Sequence, residues 1–144
     1  MEGSAAPVEN GELSMEKSIL SDPWRASALA DAAVERAAQE LREVLTALAT
    51  SLEPFPGFQG MTTLQAVEVE LPGGGNRDLG CVVIGPDGLL YELILRNIPG
   101  PMEYGDTDQV DELRELDLKP QEFIPYAYQA IKQLANLHRQ RKGS

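Results

Sequence analysis

Gly80-Cys81-Val82-Val83-Ile84, Gly85-Pro86-Asp87-Gly88, Leu89-Leu90-Tyr91-Glu92-Leu93-Ile94-Leu95-Arg96 is the stretch that decides the fold. Two apolar runs flank Pro86-Asp87-Gly88, the chemistry of a type I turn with glycine in the left-handed position. A strand with one wet face alternates apolar and polar residues, whereas these runs are apolar at nearly every position of both faces. The hairpin therefore predicts a sheet that must be covered from two sides, by this chain's own helices or by a second chain. If both helices lie on one side, Leu90 and Ile94, or Tyr91 and Leu93 on the opposite face, become an exposed interface.

Upstream, residues 63–71 alternate: Val67, Val69 and Leu71 face one way, Glu68 and Glu70 the other. That pattern predicts a strand with one wet face at the sheet edge. Further upstream, Asp22 can cap a helix whose first turn holds Pro23, a residue without the amide hydrogen that position leaves unpaired. Leu29, Ala33, Val34, Ala37, Ala38, Leu41, Val44, Leu45 and Leu48 recur at steps of three and four, with charged residues on the remaining face. No breaker intervenes before Pro54. A helix of about 30 residues spans roughly 45 Å, and a short strand only about 25 Å. The helix should overhang the sheet and leave apolar surface, Val44 and Leu48 included, for a second chain. Pro54-Phe55-Pro56-Gly57-Phe58 ends it and is expected to fold back as an aromatic plug.

Downstream, Asn97-Ile98-Pro99-Gly100-Pro101 is a break. Residues 108–118 place Val110, Leu113 and Leu116 or Leu118 at helical spacing and predict a short acidic helix. A last helix runs from about Gln121 or Pro125 to Arg141, with its cations in the final turn, where the helix dipole favours them. The fold class is α+β: a long N-terminal helix, a three-stranded antiparallel meander and a C-terminal helix, with the short extra helix before the last. Residues 1–20, small and acidic, predict a disordered tail, and residues 21–142 one domain. In element order the chain resembles small nucleoid-associated dimers of the YbaB type and acidic type III secretion chaperones. The likeness is one of outline and is carried by no residue motif.

The 144 residues carry a formal net charge of -11, which argues against nucleic acid and anionic membranes as partners. The acidic excess is concentrated in residues 103–122, and the sign reverses near the C-terminus at Lys132, Arg139, Arg141 and Lys142. No apolar run approaches the roughly 18 residues of a membrane span, and the first twenty residues lack a secretory pattern, so a cytoplasmic protein is expected. Cys81 is the single cysteine, which removes an intrachain disulfide and reads as a small strand hydrophobe.

Four constellations invite a chemical reading and each falls short. Gly73-Gly74-Gly75 precedes a strand, whereas a phosphate cradle opens a helix and is followed by lysine. Counted from Asp106, an EF-hand would need glycine and glutamate where Asp111 and Asp117 stand. His138 has no cysteine, serine or second histidine near it in sequence. Glu68 and Glu70, with Glu92 if their strands were neighbours, form a carboxylate cluster without a cleft.

The expected function is a small acidic protein-interaction module, such as an adaptor, accessory subunit or chaperone-like protein. It should be dimeric and non-catalytic, with no cofactor or metal. The candidate interface is Leu90, Tyr91, Leu93, Ile94, Val44 and Leu48, and the candidate acidic docking segment is Asp106, Asp108, Asp111 and Glu112. The alternative is a small-molecule site or enzyme pocket between sheet and helices, lined by Tyr91, Tyr126, Tyr128, Phe55 and Phe58.

Overall fold

The computed structural model describes residues 22–60, 63–75, 78–98 and 107–143. The tail expected over residues 1–20, and Asp106, lie outside them. The elements in order are helix α1 (Pro23–Ser51), strands β1 (Val67–Glu68), β2 (Cys81–Ile84), β3 (Leu90–Ile98) and β4 (Thr107–Glu115), and helix α2 (Pro120–Lys142), with a 3-10 turn at Phe58–Gly60. The chain is α+β, and its sheet is an antiparallel meander in the order β1-β2-β3-β4. It divides into two compact units, Met1–Ala37 and Ala38–Ser144, so that α1 belongs to both.

In the first unit, α1 begins as its sequence dictates. The Asp22 side chain accepts a hydrogen bond from the Arg25 amide at 3.2 Å, which satisfies one of the donors that a helix start leaves open. Residues 23–37 hold no buried side chain; the buried positions of the helix are Ala38, Leu45 and Ala49, all in the second unit.

In the second unit, strand pleating sends neighbouring side chains to opposite faces and so builds two cores. Val82, Ile84 and Leu90 pack with Leu45, Ala49, Leu52 and Phe55 and with Phe123, Tyr126, Ala127, Ala130 and Leu134 of α2. Both the second half of α1 and α2 therefore cover the same face. The opposite face gathers Val83 and Leu93 under Phe58 and Ala66, with Leu64, Cys81 and Tyr91 beside them. The proline segment supplies one aromatic to each core: Phe55 to the helical side and Phe58 to the other.

The hairpin closes through a Gly88 amide bond to the Gly85 carbonyl at 3.0 Å, and the Asp87 carboxylate accepts the Leu89 amide at 3.0 Å. Gly88 has φ +82°, and a Cβ there would stand 2.6 Å from the Thr46 Cα of α1. The turn is thus seated on helix backbone, a fit available only without a side chain.

Two expectations are corrected. Among the described residues the strands number four, not three, and residues 107–115 form β4 in place of the short acidic helix. The register explains the misreading. Leu113 stands opposite Leu93 and Val110 opposite Leu95, with a bulge between Ile94 and Leu95. The extra residue turns a spacing of two on β3 into a spacing of three on β4, which in sequence looks like one face of a helix.

Two glycine substitutions separate these effects. Gly73 also has a positive φ (+87°), but a Cβ there meets nothing within 4 Å. Gly73→Ala should cost about 1 kcal/mol in urea unfolding, the strain of a left-handed residue alone. Gly88→Ala adds the collision with Thr46 and should cost about 2–4 kcal/mol. Equal losses would show that the turn does not depend on its contact with α1.

Candidate functional site

Two features open to function lie at the sheet edges. At the β1 edge, the Val69 amide bonds the Val82 carbonyl at 2.8 Å, so Glu68 and Glu70 turn their backbone groups outward. Gln133 of α2 meets both: its side-chain nitrogen donates to the Glu68 carbonyl at 2.7 Å, and its oxygen accepts the Glu70 amide at 3.4 Å. One side-chain amide thereby stands in for a missing neighbouring strand. Sequence reading missed Gln133, because the two ends of this link are more than sixty positions apart.

At the β4 edge, Glu92 organises the inner side of the strand pair. Its carboxylate accepts the Gly80 amide at 2.7 Å and lies 3.7 Å from the Arg114 guanidinium, which also reaches Glu112 at 3.3 Å. Arg114 is thus shared by two carboxylates. Of the candidate docking segment, Asp108, Asp111 and Glu112 lie on β4, and no described strand pairs with its outer side.

The carboxylate cluster does not assemble. Glu68 stands opposite Val83, whereas Glu92 stands opposite Val82, on the other face and one strand further away. Glu68 and Glu70 instead line a cavity of about 370 Å³ with Cys81, Gly75, Gly80 and Tyr126. Burial pushes the Cys81 thiol up to about 11, and the Glu68 and Glu70 carboxylates beside it act the same way. A thiol so placed stays protonated at neutral pH and is a poor nucleophile.

His138 requires a correction. No serine is near it in sequence, yet Ser51 Oγ lies 2.7 Å from its Nε2, and the Leu48 carbonyl lies 3.3 Å from the same nitrogen. The Ser51 hydroxyl donates to Leu48 at 2.9 Å, which assigns the Nε2 proton to the imidazole. The three groups close the C-terminal end of α1. With its proton committed to a helix carbonyl, the hydroxyl acts as a cap.

The proposed aromatic pocket is dispersed. Phe55 and Tyr126 belong to the helical core and Phe58 to the opposite one. Tyr91 donates its hydroxyl to Asp87, which pushes its pKa up to about 12, and exposed Tyr128 carries Lys132 5.4 Å from its ring centroid. Of the candidate interface, Leu90 and Leu93 are buried by this chain's own cover and offer no surface; Tyr91, Ile94 and Leu48 are half-buried, and Val44 is 46% exposed. Among the described residues, no cluster of three or more His, Cys, Asp or Glu side chains could hold a metal ion, and no helix is long and apolar enough to cross a membrane.

The cavity chemistry is testable through its thiol. At pH 8, iodoacetamide should alkylate Cys81 on the order of a hundredfold more slowly than a thiol of ordinary pKa. The rate should climb with a midpoint near pH 11, and Glu68→Gln with Glu70→Gln should bring that midpoint to lower pH. Because the folded pKa is raised, the thiol's contribution to stability is complete below pH 9 and fades as pH rises to about 11. A profile centred near 9 in the native protein would contradict this placement.

In comparisons with known proteins, no family model, no curated protein and no solved structure matches this chain.

Proposed function

We propose that this chain is a small acidic protein-interaction module that works by docking rather than catalysis, and that it docks first onto a second copy of itself. The observation that carries this reading is the first half of α1. Residues 23–37 bury no side chain, and Trp24 and Leu29 are 85% and 43% exposed. These apolar side chains stand in water, and covering them with another surface would be favourable. A second copy suits it electrostatically. In a chain of net charge -11, the charges of residues 23–37 are Arg25 and Arg36 against Asp31 and Glu35, so two such segments meet without net repulsion.

The titratable groups support docking over catalysis. Among the described residues, Cys81 and Tyr91 are both shifted away from the range where a nucleophile or base works at neutral pH. An adaptor, accessory subunit or chaperone-like role fits such a surface. The cavity holding Glu68, Glu70 and Tyr126 supports the second reading, a small-molecule site, which stabilisation by a metabolite in a thermal-shift screen would favour.

The chain's single tryptophan reports on the dimer directly. Light scattering on a sizing column should give about twice 15.7 kDa, and Trp24 emission should move to shorter wavelength as concentration rises. Leu29→Lys should return the mass to that of the monomer and abolish the spectral change. A monomer at all concentrations, with constant emission, would overturn the reading.

A further inference from the structure

We infer that the outer edge of β4 receives an extended basic segment of another protein as a fifth strand. This rests on the reading of the chain as an interaction module and names the partner of one surface.

The two edges of the sheet are treated differently. At the β1 edge, Gln133 engages the outward carbonyl of Glu68 and, just beyond the strand, the outward amide of Glu70. Nothing equivalent meets β4 among the described residues, although it is nine residues long and β1 only two. The phase of its ladder is fixed by the Leu116 amide, which bonds the Leu90 carbonyl at 2.9 Å. Antiparallel alternation from that bond turns Leu116 and Arg114 toward β3, and Leu113 and Glu115 toward the open edge with their N–H and C=O groups. An open strand edge is a template for another strand unless it is blocked.

Charge selects the occupant. Asp108, Asp111, Glu112 and Glu115 lie on the strand, and its one cation, Arg114, is shared between Glu92 and Glu112. A second copy pairing through the same edge would set these acids against their own kind, which is unfavourable for directly opposed cross-strand pairs. The chain's own cations Arg139, Arg141 and Lys142 are held in α2. Leu113, 41% exposed on the face that carries Leu93, offers an apolar contact beside the acids. The fitting partner is therefore an extended segment in which Lys or Arg alternates with aliphatic residues.

The test uses the full chain and the peptide acetyl-(Lys-Val)4-amide, with (Glu-Val)4 and (Lys-Pro)4 as controls. The first should bind, more weakly as salt rises, and should slow amide exchange at Leu113 and Glu115 about tenfold or more. The acidic peptide should not bind. (Lys-Pro)4, equally charged but lacking half the strand amides, should bind about tenfold more weakly than (Lys-Val)4. Leu113→Pro removes an outward amide that β3 does not use, and should weaken (Lys-Val)4 by a similar factor; circular dichroism verifies its fold. If that variant does not fold, the exchange measurement on the wild-type chain still decides.

No binding, equal binding of the two lysine peptides, or binding without protection at Leu113 and Glu115 overturns the inference. Light scattering on the same samples separates the two failures. A chain that self-associates but ignores the peptide loses this inference alone, and one that does neither loses the interaction reading as well.

Discussion

Val83 and Ile84 are neighbours on β2, both fully buried, and the pleat points them to opposite faces of the sheet. A strand in that state must be roofed twice, and the rest of the second unit meets that demand. Ile84 lies under the second half of α1 and under α2, whereas Val83 lies under Phe58 and Ala66. The two covers differ in kind. Helices supply broad apolar stripes to one face, and a loop anchored by a single aromatic closes the other. The seat of Gly88 on the Thr46 backbone ties the hairpin to the helical cover at its turn. Because the chain can bury Leu90 and Leu93 by itself, the doubly apolar hairpin does not oblige a partner, and the surface free for association lies elsewhere.

What was legible in the sequence follows from the range of the interactions involved. The Asp22 cap and the Pro86-Asp87-Gly88 turn are local and have their expected form. The alternation of Val67 and Val69 with Glu68 and Glu70 is local too, but of the strand expected over residues 63–71 only Val67–Glu68 forms β1. β4 was illegible because one bulge residue changes the apolar period from that of a strand to that of a helix. The links from Gln133 to β1 and from His138 to Ser51 were illegible for another reason. They join polar groups 65 and 87 positions apart, and neither residue carries a pattern that names its partner. The side taken by the helices was equally hidden, since apolar periodicity states that a face is buried but not against what.

The candidate site shares this division. The acidity of residues 108–115 was plain, but its meaning changed with the backbone that bears it. On a helix such residues form a solvated face; on an edge strand they accompany a row of backbone donors and acceptors. Charge and hydrogen-bonding capacity then lie at one place, where the first would select an approaching chain and the second would hold it.

Gln133 has a consequence for how the chain can vary. β1 pairs with β2 through only two residues, too few for ladder bonds alone to fix the register firmly. The amide of Gln133 grips the Glu68 carbonyl and the Glu70 amide together, and a slip by one residue would offer it groups that point into the sheet. The alignment of β1 is thus held from the helix side as well as by its ladder with β2. Variation at position 133 is therefore tied to a strand more than sixty positions away, because a side chain that cannot both donate and accept there leaves one of those two backbone groups open.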